Sequence, residues 1–474
     1  MTSLLRSKTR SVLALALLAT GFTVVRADQR DEEIQTLREQ IRQLDQKLRV
    51  IERKQELKDE DSAAKAKTTA SVTAGAGGFA ITSADKSFDL KLKALAQFDA
   101  RFFLDDGAAN RDAFLLRRTR LIFSGTVAGI YDFNITPELG GGTNNTTTVA
   151  LWDAFIAARF SPYLGLRAGK FPSAVGLEPG SNRHFIESPF PNTLLPNRDL
   201  GVEVFGAAGG GLVEYRLGVF NGVANNTTNF GGASADYADG DKTLAGRLTV
   251  APFKSVDGVI SKLSFGLGAS RGNEKGVAGT NLSNGLSNIT SNSQQAIFSY
   301  GATLYANGTH TRISPSVEWY TGTPFSFVAE YALEKQDIAV NAAGLTRSFK
   351  NSAWRANVGW VLTGEEGAKA GVTPKNAFGK DGWGAFELVA RVSGLELDNK
   401  LFHAVSDDGA GLSRVTNATG AIAYGVGLNW YLNRNFRFLV NAEQTKFDDA
   451  KTPTAQPGAQ DDELAIITRL HLSF

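Results

Sequence analysis

FDLKLKALAQFDARFF, residues 88–103, is the stretch whose reading decides the fold. Phe88, Leu90, Leu92, Ala94, Ala96, Phe98, Ala100 and Phe102 fall on one face of an extended chain. Asp89, Lys91, Lys93, Gln97, Asp99 and Arg101 fall on the other. A period of two is the mark of a β-strand. Strands of soluble proteins usually run about 5–6 residues. This one is far longer, its apolar face never breaks, and its opposite face is charged. That combination suits a tilted strand crossing a bilayer, with lipid on one side and a wet interior on the other.

The same alternation recurs to the end of the chain. Residues 115–128 set Leu121, Phe123 and Val127 against Arg118, Arg120, Ser124 and Thr126, and residues 131–139 set Tyr131, Phe133, Ile135 and Leu139 against Asp132, Asn134 and Glu138. Further strands are predicted at 149–160, 163–171, 199–207, 211–220, 242–252, 260–271, 310–320, 323–335, 350–363, 382–397, 417–432, 435–447 and 461–474. The expected fold is therefore all-β: a transmembrane antiparallel β-barrel of about sixteen strands, an even number as single-chain bacterial barrels have. Tight turns are expected at 128–130, 161–163, 207–210, 322 and 433–434. They alternate with long polar connections such as 172–198, 221–241 and 272–309. Short inner turns and long outer loops are the usual asymmetry of such barrels. The connection after Gly364 is longer than that rule predicts. The chain ends on an alternating strand in which Leu464, Ile466, Leu470, Leu472 and Phe474 share the apolar face. A terminal aromatic of this kind resembles the tail that outer-membrane assembly machinery reads. Trp152, Trp319, Trp354, Trp360, Trp383 and Trp430 fall on or near strand ends, where aromatic girdles sit.

Composition removes several function classes. Among 474 residues there is no cysteine, which excludes disulfide scaffolds, thiolate metal sites and thiol nucleophiles. His184, His310, His403 and His471 are too far apart for an HExxH-type site, and no metal or other cofactor is expected. Neither GGG run, at 140–142 or 209–211, is followed by Lys-Ser/Thr and a helix, so both read as turns. An outer-membrane hydrolase would need a serine–histidine pair with an acid behind it, and no such set is legible.

Residues 1–27 read as a secretory signal peptide: Arg6, Lys8 and Arg10 precede an apolar run from Val12 to Val25, with Val25 and Ala27 at the cleavage positions. Its removal takes away four basic residues and no acids, which moves the formal charge from +2 to −2. Nothing then favours nucleic acid as a partner. Residues 28–60 follow a heptad, with Ile34, Ile41 and Leu48 at a and Leu37, Leu44 and Ile51 at d. A short coiled-coil helix is expected there. Residues 61–85 are expected to be a flexible linker, leaving 86–474 for the barrel.

Taken together, LLRRTRLIFSGTVAG (115–129), LWDAFIAARF (151–160), LRAGKFPSAVGLE (166–178), RDLGVEVFG (198–206), GVFNG (218–222), VLTGE (361–365) and GLNWYLN (427–433) resemble the phosphate-selective porins O and P. The segments occur in family order and span most of residues 86–474. The resemblance implies a sixteen-stranded trimeric channel in the bacterial outer membrane that passes phosphate, polyphosphate or related small anions. It also fits the heptad segment, a feature seen in members of this family. The partners implied are small anions such as phosphate, outer-membrane lipid and two further copies of the chain. Contact between the coiled coil and the cell wall is a further expectation.

Charged rings or ladders set selectivity in such pores. By parity, Arg118 and Arg120 face the lumen with Arg117 opposite, and Lys91, Lys93 and Arg101 face it from the neighbouring strand. Strands lie about 4.8 Å apart, so these five are expected to form a basic ladder. Arg183, His184 and Arg198 lie on the 172–198 segment, which occupies the position where porins fold a loop inward. Arg167, Arg247, Arg391 and Arg469 are further candidates. Against this stands a plainer expectation, that the cations pair with Asp89, Asp99, Asp132, Glu138, Asp153, Glu203, Glu330 and Glu387. Two other functions fit the pattern: a saccharide porin, which would need an inward aromatic row, and an envelope-tethering barrel.

Overall fold

The computed structural model describes residues 27–66, 69–104, 112–141, 149–177, 184–227, 240–278, 284–301, 303–340, 344–379, 382–402, 418–448 and 462–474. All of the expected signal peptide except Ala27, along with Arg183 and His403, lies outside them. Contacts divide the chain into two units, residues 1–69 and 70–474.

In the first unit, helix α1 runs from Ala27 to Ala66. Its charged flanks carry surface pairs such as Arg49–Asp45 at 3.1 Å, one helical turn apart. The a and d residues are all exposed in the single chain, from Ile34 at 45% to Leu44 at 64%.

The second unit begins with a hairpin, β1 (Ser71–Gly75) and β2 (Gly78–Thr82). Residues 61–85, expected as a flexible linker, therefore carry the end of α1 and two strands. The apolar alternation of Phe79 and Ile81 finds a ready edge on the first barrel strand, which a purely local reading of five residues does not disclose. Sixteen barrel strands follow. The first nine are β3 (Asp89–Phe103), β4 (Ala113–Val127), β5 (Tyr131–Glu138), β6 (Ala150–Ser161), β7 (Leu164–Pro172), β8 (Arg198–Ala208), β9 (Val213–Phe220), β10 (Thr243–Val250) and β11 (Leu263–Lys275). A two-stranded ribbon, β12 (Ile289–Thr290) and β13 (Ala296–Phe298), interrupts the series. The last seven are β14 (Tyr305–Tyr320), β15 (Phe325–Ala339), β16 (Thr346–Val361), β17 (Ala385–Glu396), β18 (Gly420–Tyr431), β19 (Phe436–Asp448) and β20 (Glu463–Ser473).

Each barrel strand pairs antiparallel with the next, and β20 closes on β3 from Ser473↔Leu95 to Ala465↔Phe103. Closure leaves no edge in lipid, where each unpaired backbone group costs several kcal/mol. Below the end of β20, β2 takes over the free edge of β3, from Phe79↔Leu92 to Thr82↔Asp89. Phe474 is clasped there by paired backbone bonds with Ala94 at 3.0 and 3.1 Å and by an edge-to-face contact with Phe79.

Alternation sorts the two faces as the sequence predicts. Along β15, Ser326, Glu330, Glu334 and Gln336 turn inward and are covered, while Phe325, Tyr331 and Leu333 turn outward. The β4–β5 turn places Ala128 and Gly129 at φ of 52° and 74°, the paired positive values whose twist suits a tight hairpin. The connection 362–384 folds back on the inner end of the barrel. Val372 packs there with Val361, Ala385 and Tyr431, and the Gly367 amide donates to the Thr323 carbonyl at 2.9 Å.

Two outer connections enter the lumen. The β7–β8 connection carries a short helix α2 (Pro191–Leu194), and the β11–β14 connection carries β12 and β13. Phe171, Phe190, Phe220, Ile297 and Phe298 form an apolar cluster inside the outer half of the barrel. A parity reading of strands has no place for such a cluster, because it is built by loops.

Candidate functional site

The innermost described part of the β7–β8 connection is His184-Phe185-Ile186-Glu187, and wall strands hold it. The Ile186 amide donates to Asn441 Oδ1 on β19 at 2.7 Å, and the Ile186 carbonyl accepts from Arg469 Nη1 on β20 at 2.7 Å. Arg391 Nη1 on β17 donates to the Glu187 carbonyl at 2.9 Å, and its guanidinium lies 4.3 Å from the centre of the Phe185 ring. The root of the connection is fixed as well. Leu177 N donates to Glu330 Oε1 at 2.8 Å, and Arg247 Nη1 donates to the Val175 carbonyl at 3.0 Å. The described parts of the segment 172–198, expected to fold inward, thus lie against the inner wall.

Three guanidiniums converge on the Glu187 carboxylate. Arg117 reaches it with Nε at 2.8 Å, Arg469 with Nη2 at 3.4 Å, and Arg101 also pairs with it. Burial alone would raise the Glu187 carboxyl. The Arg117, Arg101 and Arg469 charges outweigh that effect and hold it well below the usual carboxylate range. Asp99 accepts a bidentate fork from Arg469, at 2.6 and 2.7 Å, and a bond from Arg101 at 3.2 Å. Arg117 was expected on the opposite face from Arg118. A bulge breaks the register between Gln97 and Phe98, so that Gln97 faces Arg118 and Phe98 faces Leu116. The extra residue, Arg117, is thereby turned into the lumen.

The five-residue ladder expected from parity is not assembled. Arg101 belongs to the Glu187 cluster. Arg118 donates to Gln97 Oε1 at 2.8 Å and has no carboxylate within ion-pair reach among the described residues. Arg120 pairs with Glu138 at 2.5 Å and stacks over Trp152 at 3.7 Å. Lys93 lies four residues further down β3 than Gln97, roughly 13 Å at strand rise, and Lys91 beyond it pairs with Asp89 at 3.1 Å. Arg198 pairs with Asp153 at 2.8 Å, and its guanidinium also lies over Trp152, 4.1 Å from the ring centre. Arg183 lies outside the described residues. Of the further candidates, Arg167 pairs with Glu203 and Arg391 with Glu443. The plainer expectation, arginines facing acids, thus describes much of the wall.

Sequence reasoning missed Glu187 and the second inward loop. Arg101 Nη1 donates to the Ser293 carbonyl at 3.2 Å, and Asn292 Nδ2 donates to Ser393 Oγ at 2.9 Å, so that loop reaches β3 and β17. An acid on a segment already marked as the constriction, opposite many arginines, was the available signal for Glu187.

Near the tip of the inward connection several guanidiniums share few carboxylates, with Glu443 beside Arg391 and Glu463 beside Ser291 in the next ring outward. Around the tip of the inward connection, Arg101, Arg117, Arg118 and Arg469 face Asp99 and Glu187, four guanidiniums to two carboxylates. A guanidinium fork of this kind matches an oxyanion edge.

Comparison with known proteins agrees with the barrel fold. The family model described as phosphate-selective porin O and P matches residues 88–474. No curated protein matches the chain. The anion-selective porin from Comamonas acidovorans superposes with a TM-score of 0.50 at 11% identity, covering 82% of this chain and 100% of its own. The outer-membrane channel DcaP of Acinetobacter baumannii gives a TM-score of 0.50 at 11% identity, covering 82% and 98%. Both likenesses establish the barrel fold.

Proposed function

The chain belongs to the phosphate-selective porin O and P family and is a channel of the outer membrane, and we propose that it passes small anions, inorganic phosphate among them. The observation that carries this reading is the imbalance beside the constriction, where four guanidiniums meet two carboxylates. Two uncompensated charges at a narrow, low-dielectric passage favour anions over cations throughout the section they face. Arginine there also supports recognition of phosphate rather than simple attraction, since its rigid paired donors fit two oxygens at once. Sugar passage is disfavoured, because the Trp152 ring already carries the Arg120 and Arg198 guanidiniums.

We further propose that the channel is a homotrimer. The exposed heptad seam of α1, Ile34 to Ile51, is an apolar stripe that a parallel partner helix would cover.

Phosphate titration of the chloride current through single channels in planar bilayers tests the solute assignment. Phosphate should depress the chloride current in a saturable way, because both ions use the same arginines. A chloride current indifferent to phosphate would contradict phosphate recognition.

A further inference from the structure

On the outside of the barrel, one register row crosses four neighbouring strands. Arg271 on β11 faces Thr311 on β14, which faces Lys335 on β15, which faces Lys350 on β16. Burial alternates along these strands, and the three cations stand exposed on the face opposite the buried Ser270, Arg312, Glu334 and Asn351. They point away from the lumen. Lys335 and Lys350 stand directly opposite each other, an arrangement that repels. None of the three cationic groups has an ion pair or hydrogen bond among the described residues.

The acids in register with the row do not relieve it. Asp337, two residues further along β15, accepts from the Ser348 hydroxyl and from the Thr309 amide at 3.0 Å. Asp398 accepts from the Lys350 and Lys400 amides, each at 3.0 Å. Glu396 stands opposite Ser352, two residues below Lys350, and makes no ion pair among the described residues.

Height in the membrane decides what meets the row. Below it the outward face is apolar, with Ile313 beside Leu333, Tyr331 beside Trp354, Val317 beside Ala329, and Phe325 beside Trp360 at the inner rim. From Phe325 to Lys335 the strand rises about 34 Å along its own axis, which is about 25 Å along the membrane normal at a tilt of roughly 40°. That matches the height of the apolar band on such barrels. With Phe325 and Trp360 at the inner boundary of the hydrocarbon, the basic row stands at the outer boundary, level with lipid headgroups. Charge is tolerated at that level and costly at the midplane.

We propose that this row docks an outer-leaflet lipid whose headgroup carries two phosphates. Lys335 and Lys350 together hold one phosphate, which removes their mutual repulsion. Arg271 lies two strands from Lys335, about 10 Å away, and its guanidinium fork holds the second. The Thr311 hydroxyl between them is left for a headgroup hydroxyl, and the acyl chains lie along Ile313, Leu333 and Tyr331. The site is on the lipid side of the wall and is independent of what the pore passes.

The experiment uses the full-length channel in detergent, with bisphosphorylated lipid A as the probe and native mass spectrometry reading the lipid-bound fraction. K335Q with K350Q should raise the half-saturating lipid concentration by about tenfold or more, as two charge-assisted contacts are lost. R271Q alone should raise it by about threefold or more. K254Q with K262Q removes the same charge from the β10–β11 turn at the inner end and should leave it unchanged. Lipid A with one phosphate should bind the wild type more weakly than lipid A with two. The chloride-to-potassium permeability ratio of K335Q with K350Q should equal that of the wild type, which separates this site from the solute reading. Should the double lysine variant fail to give a heat-modifiable barrel, R271Q decides. Wild-type lipid binding in the deciding variant overturns the proposal, as does an equal loss in K254Q with K262Q. The chain has no cysteine, so K335C offers a single cross-linking point. Cross-linking of K335C between two chains overturns the proposal as well, because a second copy would then cover the row.

Discussion

Two neighbouring rows of the same strands use arginine in opposite ways. In the row of Asp99 and Arg469, the guanidinium is spent on two carboxylates and a loop carbonyl, and it acts as a rivet between wall and loop. Two residues along each strand, in the row of Gln97 and His471, Arg118 meets an amide and no acid within ion-pair reach among the described residues. The first row fixes where the passage is narrow. The second, on the function proposed above, offers charge to what passes. The difference teaches that counting inward arginines does not measure selectivity, because a buried, paired guanidinium contributes mechanics rather than field.

Substituting Glu187 breaks the first row most severely. Glu187→Gln leaves Arg101, Arg117 and Arg469 without their shared partner, and loss of one member of a buried charge set costs about 3–5 kcal/mol. The temperature of the heat-modifiable gel shift should fall and conductance should rise as the tip is released. An unchanged shift and unchanged conductance would show that the tip is held otherwise. Next in size is the root of the same connection. A Cβ on Gly268 would lie 1.8 Å from the Val175 carbonyl oxygen, so Gly268→Ala must displace the loop. Overpacking of this kind costs roughly 1–3 kcal/mol, and single-channel conductance should change with little effect on ion preference. The second row is sharpened by Arg118→Ala. It removes one uncompensated charge and a hydrogen bond of about 1 kcal/mol, so the chloride-to-potassium permeability ratio should drop while the gel shift stays within a few degrees. A larger stability loss than selectivity loss would place Arg118 among the rivets. The smallest effect is expected at Trp152, held between Arg120 and Arg198. Trp152→Leu forfeits cation–π contacts of about 0.5–2 kcal/mol, and a small loss of stability in urea–detergent unfolding with unchanged ion preference is expected.

The barrel itself was legible because its signal is local. Alternation in Phe88–Phe102 needs only the pleat to be read, and the same holds for the terminal strand ending at Phe474. The site was legible only in part. Arg101, Arg118 and Arg120 were correctly turned inward by parity, but the partners that decide their roles come from far along the chain, Glu187 for Arg101 and Gln97 for Arg118. Arg117 was misplaced because parity assumes a regular ladder, and a bulge adds one residue. The β1–β2 hairpin and the inward β12–β13 ribbon were missed for a related reason. Their strands run five residues or fewer, and each finds its place only against a surface that the folded barrel provides.

The central claim is that the wall beside the constriction carries more positive than negative charge toward the passage. Reversal potential under a KCl gradient, measured on the full-length channel in a planar bilayer, tests it most directly. The potential should take the sign at which chloride carries the larger share of the current. A potential of the opposite sign, with potassium carrying the larger share, would contradict it.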